Sequence, residues 1–242
     1  MHAGPTKDRV IVEKLDDIMR LLQLNNDITM DRFMYTEGKV TRKNDPDAKR
    51  FSRRVKVAYD ALDHGQCWCL LTNDKLPSST VIASHLFKWE WAECVHLLGF
   101  EDVNDTRNGL PLWKPLEWAF DSSRLCFTYN KDSDQFIANV LDPNILTRKM
   151  SDVGRHKMGA EWVEPPNRLK HLTFQHIDQQ PLKFAPSSLQ RPFRRVLNFQ
   201  ARQARKYAIR HNWKPLSWNF EDYHTEGLDV SQKLASWFMS MQ

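Results

Sequence analysis

Three short stretches decide how this chain folds: Val81-Ile82-Ala83-Ser84-His85-Leu86, Arg107-Asn108-Gly109-Leu110-Pro111-Leu112 and Pro115-Leu116-Glu117-Trp118-Ala119-Phe120-Asp121. The first is an apolar run closed by an imidazole, and it reads as a strand over 79–84. The second is a polar turn over 104–109 that leads into a short strand over 110–113. The third opens on a proline, which suits the first turn of a helix, and it carries Glu117 and Asp121 one turn apart.

The residue types in these stretches define a chemistry. His85, at the end of an apolar strand, can be held in one orientation, and an unperturbed pKa of about 6.5 lets it take a proton from water at neutral pH. Glu117 brings hard oxygen ligands on a helix and Asn108 an amide oxygen from a turn, a set better suited to Mg²⁺ or Mn²⁺ than to zinc. An imidazole and oxygen donors around one divalent cation are the equipment for hydrolysing a phosphodiester. Taken singly, each residue has a plainer reading: a hydrogen-bonded structural histidine, a surface carboxylate.

Outward from these stretches, strands are expected over 67–72 and 79–84, separated by residues 73–77. A helix is expected over 88–98, ended by Gly99, and a strand pair over 124–129 and 135–141 around Lys131-Asp132. Residues 147–170, with Pro165-Pro166, read as an irregular connection and residues 171–177 as a strand. A long helix follows Pro192 with Phe193, Leu197, Ala201, Ala204 and Ala208 on its inner side. Upstream, residues 8–24 form an amphipathic pattern (Val12, Leu15, Met19, Leu22). A second helix spans 46–62, capped by Asp45, with Phe51, Val55, Ala58 and Leu62 as its apolar stripe and Lys49, Arg50, Arg53, Arg54 and Lys56 as a solvated face. The pattern is α+β, organised as an N-terminal helical region (1–62), a core (63–146) and a C-terminal extension (147–242) packed on that core.

The 242 residues are 41% hydrophobic, enough for a sizeable core. No apolar stretch approaches the roughly 20 residues of a membrane span. Asp8, Glu13, Asp16 and Asp17 interrupt any secretory pattern, so a soluble, intracellular chain is expected. Cys67, Cys69, Cys94 and Cys126 are too scattered for a disulfide framework, and Cys67-Trp68-Cys69 lacks zinc-ligand spacing, so they read as buried, inert thiols. The net charge of +5 is concentrated. Residues 179–220 contain no Asp or Glu but hold Lys183, Arg191, Arg194, Arg195, Arg202, Arg205, Lys206, Arg210 and Lys214. Such a field points to a polyanionic partner, with Arg191, Arg195, Arg202, Arg205, Lys206 and Arg210 as the expected nucleic-acid contacts. Trp89, Trp91 and Trp113 are lesser candidates for stacking on bases.

Ala83-Ser84-His85-Leu86, Arg107-Asn108-Gly109-Leu110-Pro111-Leu112 and Phe120-Asp121-Ser122-Ser123-Arg124-Leu125 together resemble the HNH endonuclease family. The likeness is nearest to its fungal and oomycete branch, which includes the HNH-bearing C-terminal domains of Crinkler-type effectors. It is firmest over residues 67–141. It implies a ββα-metal (His-Me) finger with flanking helices and a small antiparallel sheet. By position, His85 is the general base, Asn108 fixes the loop and contributes to the metal shell, and Glu117 stands where the family's second histidine usually lies. Asp121 is a further oxygen ligand for Mg²⁺ or Mn²⁺. Ser84 departs from relatives that place an acidic or histidine ligand before the base.

The expected activity is metal-dependent hydrolysis of DNA with little sequence selectivity. Two alternatives stay open: a finger that has lost catalysis and only binds nucleic acid, and a protein-interaction domain in which the helix over 8–24 pairs with a partner or a second copy. Arg42-Lys43, Lys49-Arg50 and Arg53-Arg54 faintly resemble a nuclear-import signal, and an effector would act in a host nucleus.

Overall fold

The structure, a computed structural model, describes residues 46–220. The expected helix over 8–24, the Asp45 cap and Arg42-Lys43 lie outside the described residues. Helix α1 spans Pro46–Ala58, with Phe51 and Val55 buried and Lys49, Arg50, Arg53 and Arg54 exposed, as an amphipathic stripe requires. Lys56 departs from the expected solvated face. It is buried, and its Nζ donates to the Ser78 carbonyl at 2.8 Å and approaches the Ser78 hydroxyl at 3.3 Å. Burial lowers its pKa.

Strands β1 (Leu62–Asp63), β2 (Gln66–Cys69) and β3 (Asp74–Pro77) form an antiparallel sheet in that order. The expected strand over 67–72 therefore ends early, and residues 73–77 are not a simple separator. The chain reverses through Asn73, in the left-handed region at φ 56°, and then pairs back with Cys67 opposite Leu76.

Strands β4 (Val81–His85) and β5 (Gly109–Trp113) pair antiparallel, from Val81 opposite Trp113 to His85 opposite Gly109. The chain passes from Trp113 directly into helix α2, Lys114–Asp121, with Pro115 in its first turn. These three elements are the strand–strand–helix finger. Between β4 and β5, the helix expected over 88–98 is a run of 3₁₀ turns over Trp89–Leu98, broken at Trp91.

Strands β6 (Leu125–Asn130) and β7 (Gln135–Val140) form the expected hairpin, closed at its base by an ion pair between Arg124 and the buried Asp142. Two expectations beyond it fail. Within 147–170, Met150–Met158 is a helix, α3. Its interior Gly154 suppresses helical propensity but is needed for close packing, because a Cβ there would lie 2.0 Å from Trp162 Cζ3. Residues 171–177 are not a strand: Thr173 and His176 form a capping box that starts the short helix α4, Phe174–Ile177. Phe174 and Ile177, three apart, are buried.

Helix α5, Arg194–Arg210, packs its inner side on β6. Ala201, Ala204 and Ala208 are fully buried beside Cys126, their small size allowing close approach. One apolar core runs from Phe51 and Val55 through Leu110, Leu112, Leu116 and Phe127 to Phe174, Leu197 and Phe199. The architecture is α+β, with mixed helices and small antiparallel sheets. Among the described residues, no helix is long and apolar enough to cross a membrane.

Candidate active site

The finger sets the site by register. His85 ends β4 and faces Gly109 across the ladder, so Asn108, immediately before β5, lies beside it. The Asn108 side chain is wholly buried and closes the long loop between the two strands. Its Oδ1 accepts the Phe87 N–H at 2.8 Å, and its Nδ2 donates to the carbonyls of Phe87 at 3.0 Å and Val103 at 2.7 Å. The Asn108 carbonyl accepts the Leu86 N–H at 2.9 Å. This is the loop-fixing part of what was expected of Asn108. Nothing in these contacts aims its oxygen at the α2 carboxylates.

His85 is half-buried, with Nε2 enclosed by protein. Its ring stacks on Phe51 of α1, with centroids 3.7 Å apart and planes within 12°. Ser84, its neighbour on the strand, donates from its hydroxyl to Asp121 Oδ1 at 2.9 Å. The position that departs from an acidic or histidine residue therefore holds a carboxylate of the finger helix instead.

Glu117 and Asp121 share one side of α2, four residues apart. Glu117 is buried. Its Oε2 lacks an aligned hydrogen bond and is met instead by the Lys114 ammonium at 2.6 Å, an ion pair. Asp121 keeps surface open at the rim, yet protein crowds its carboxyl. That crowding and, next, the Glu117 charge push its pKa up to about 7, against the Ser84 hydrogen bond and the positive charges of Lys88 and Lys114. Two like-charged carboxylates one turn apart, one with a buried oxygen held only by an ammonium, fit a hard divalent cation with water completing its shell. No group of three or more His, Cys, Asp or Glu positioned to hold a metal occurs among the described residues.

The expected basic contacts, Arg191 ahead of α5 and the rest on it, divide in two. Arg191 Nη1 donates to the carbonyls of Ser188 at 2.9 Å and Gln190 at 2.7 Å, and Arg195 Nη2 to Gly99 at 2.8 Å. Arg205 donates to Trp218 at 2.6 Å and Leu216 at 2.7 Å. Carbonyls fix these guanidinium groups without cancelling their charge. Arg202 is partly buried, while Lys206 and Arg210 are exposed.

Trp113 is wholly buried against Trp162 and cannot stack on a base; Trp91 packs on Phe87 and Phe199. Cys67, Cys69 and Cys126 are buried free thiols, and burial pushes Cys67 up to about 12 and raises Cys126 further. Sequence reasoning missed Phe51 and Lys114 as members of the site. Gly109, a glycine inside a strand, signals close backbone approach, and Lys114 and Glu117 stand at ion-pair spacing.

A family model described as HNH endonuclease matches residues 69–128, a span that contains β4, β5 and α2 with His85, Asn108, Glu117 and Asp121. The match supports a nuclease-type function and a nucleic-acid substrate, and HNH nucleases generally use a divalent metal ion. No curated protein and no solved structure matches the chain.

Proposed function

We propose that the chain is a metal-dependent endonuclease that hydrolyses DNA with little sequence selectivity, with His85 as its general base. The observation that carries this reading is the finger itself: β4 delivers His85 beside Asn108, and α2 presents two carboxylates, one of them tied by Ser84 to the same strand. His85, half-buried at the end of β4, is the group that takes the proton from the attacking water. Asn108 holds the loop that presents the base. Glu117 and Asp121 would hold Mg²⁺ or Mn²⁺, which supplies stabilisation of the charge that develops on phosphate and leaving-group oxygens. Arg191, Arg195, Arg202, Arg205, Lys206 and Arg210 hold flanking phosphates, contacts that position the duplex and carry no sequence information. The finer likeness to fungal and oomycete effector domains, and action in a host nucleus, belong to the same proposal.

The test is cleavage of supercoiled plasmid. Wild type nicks or linearises DNA with Mg²⁺ or Mn²⁺ and stops with chelator, and His85→Ala loses cleavage while retaining DNA binding. Cutting by His85→Ala at the wild-type rate refutes the assigned base.

The Lys114–Glu117 ion pair favours a second reading, in which the ammonium permanently replaces the cation and the finger only binds nucleic acid. That reading requires salt-dependent binding without cleavage, and gain of cleavage in Glu117→His.

A further inference from the structure

Helix α1 lies outside the finger, yet one of its side chains lies flat on the proposed base. The Phe51 ring is almost fully buried and stacks on the His85 imidazole at 3.7 Å between centroids, with the planes 12° apart. Aromatic pairs left to their own preference sit offset or edge-on, about 4.5–7 Å apart. A parallel stack this close is therefore imposed by the surrounding packing.

The packing that imposes it is visible on both flanks of the helix. On one side, Phe51 and Val55 close onto Gly109, the residue directly opposite His85 in the ladder. A Cβ at 109 would lie 2.8 Å from Phe51 Cζ and 2.7 Å from Val55 Cγ2, so only a glycine leaves room for the ring to reach the imidazole. On the other side, Lys56 donates to Ser78, three residues before β4 begins. The helix is thus held against Gly109 of β5, the ladder partner of His85, and against the turn that leads into β4.

An imidazole at a strand end has a soft torsion about its Cβ–Cγ bond, because such sp³–sp² rotations are broad. A base must present one nitrogen along one line, and a misplacement of about 1 Å can cost about a hundredfold in rate. We infer that Phe51 is a positioning residue for His85: its ring covers one face of the imidazole and fixes the plane in which the nitrogens lie. The inference rests on the nuclease reading for its effect on rate, and on geometry alone for its effect on the ring.

The experiment has two arms. In the first, Phe51→Leu and Phe51→Met, both apolar and without a ring, are compared with wild type on a short fluorescent DNA duplex with Mg²⁺. In both variants kcat falls about tenfold or more and KM stays within twofold, since the substrate-binding cations are untouched. In the second, the full chain is labelled with ¹³C at histidine, and the His85 ring signals, assigned with His85→Ala, are recorded by NMR. They are shifted upfield in wild type by the stacked ring and lose that shift in both variants, with melting temperature reporting that each is folded. Wild-type kcat in folded Phe51→Leu and Phe51→Met overturns the positioning role, as do His85 signals that do not move. If wild type cleaves nothing, the nuclease reading fails; the spectra still decide whether Phe51 sets the ring.

Discussion

Replacing Gly109 by alanine puts one methyl group into the seam between α1 and β5. The backbone there is extended, φ −137° and ψ 151°, which alanine adopts without strain. Relief of glycine's conformational freedom in a strand would by itself favour the variant by about 0.5–1 kcal/mol. The steric side is larger. The new carbon lands 2.7 and 3.2 Å from the Val55 methyl groups and 2.8 Å from Phe51 Cζ, and both side chains are buried. Overpacking of this kind costs about 1–3 kcal/mol, which leaves a net loss centred on about 1.2 kcal/mol once the backbone gain of about 0.5–1 is set against it. For a domain of this size that lowers Tm by about 2–5 °C. Gly109→Ala measured by thermal and urea unfolding should show this loss. The double variant Gly109→Ala/Val55→Ala, which makes room for the methyl, should be less destabilised than the sum of its parts. A Tm equal to or above wild type, or strict additivity in the double variant, would refute the claim that the helix rests on that glycine.

Asn108→Ala should cost about 3–4 kcal/mol in denaturant unfolding, because it strands the buried Phe87 N–H and carbonyl and the Val103 carbonyl together. Asp121 supplies a pH test. Its folded pKa is raised from 3.8 to about 7, so the native state holds the proton more tightly than the unfolded chain does, and stability falls as pH rises through that window. Asp121→Asn, which can still accept the Ser84 hydroxyl, should flatten the Tm–pH curve between about pH 4 and 7, and Mg²⁺ should raise the Tm of wild type but not of the variant. An unchanged curve would count against the carboxylate repulsion. Lys206→Ala/Arg210→Ala should reduce the slope of log affinity for DNA against log salt by about 2. Arg195→Ala should instead lower Tm, through loss of its bond to the Gly99 carbonyl.

The finger was legible because its signals are local: an apolar run closed by His85, a polar turn before Leu110, and a proline opening the helix of Glu117. The hairpin of β6 and β7 and the helix after Pro192 were legible for the same reason. What escaped depends on partners distant in the chain. Strand β3 exists through its pairing with β2, and nothing within Asp74–Pro77 announces it. Helix α3 hides behind Gly154, whose lack of a side chain makes sense only beside Trp162. At 171–177 the apparent alternation masked a Thr173–His176 cap, a variant of the usual box with histidine as its second member. The contact of Phe51 with His85, 34 positions apart, required the helix to be docked before it could be read. Phe51 looked like one more member of an apolar stripe.

The indole of Trp162, packed against Gly154, also stacks on Trp113, the last residue before the finger helix, with ring centroids 5.8 Å apart. The segment that resembles a nuclease is therefore roofed by sequence well beyond its own boundary. An excised piece ending near residue 128 would bare Trp113 to water and lose the wall against which α2 begins, exposing an apolar surface of the kind that drives aggregation. Shortened versions of this protein should keep the chain at least through Trp162. The packed unit is longer than the recognisable motif: it reaches past Trp162, and the same core continues through Phe174, Leu197 and Phe199.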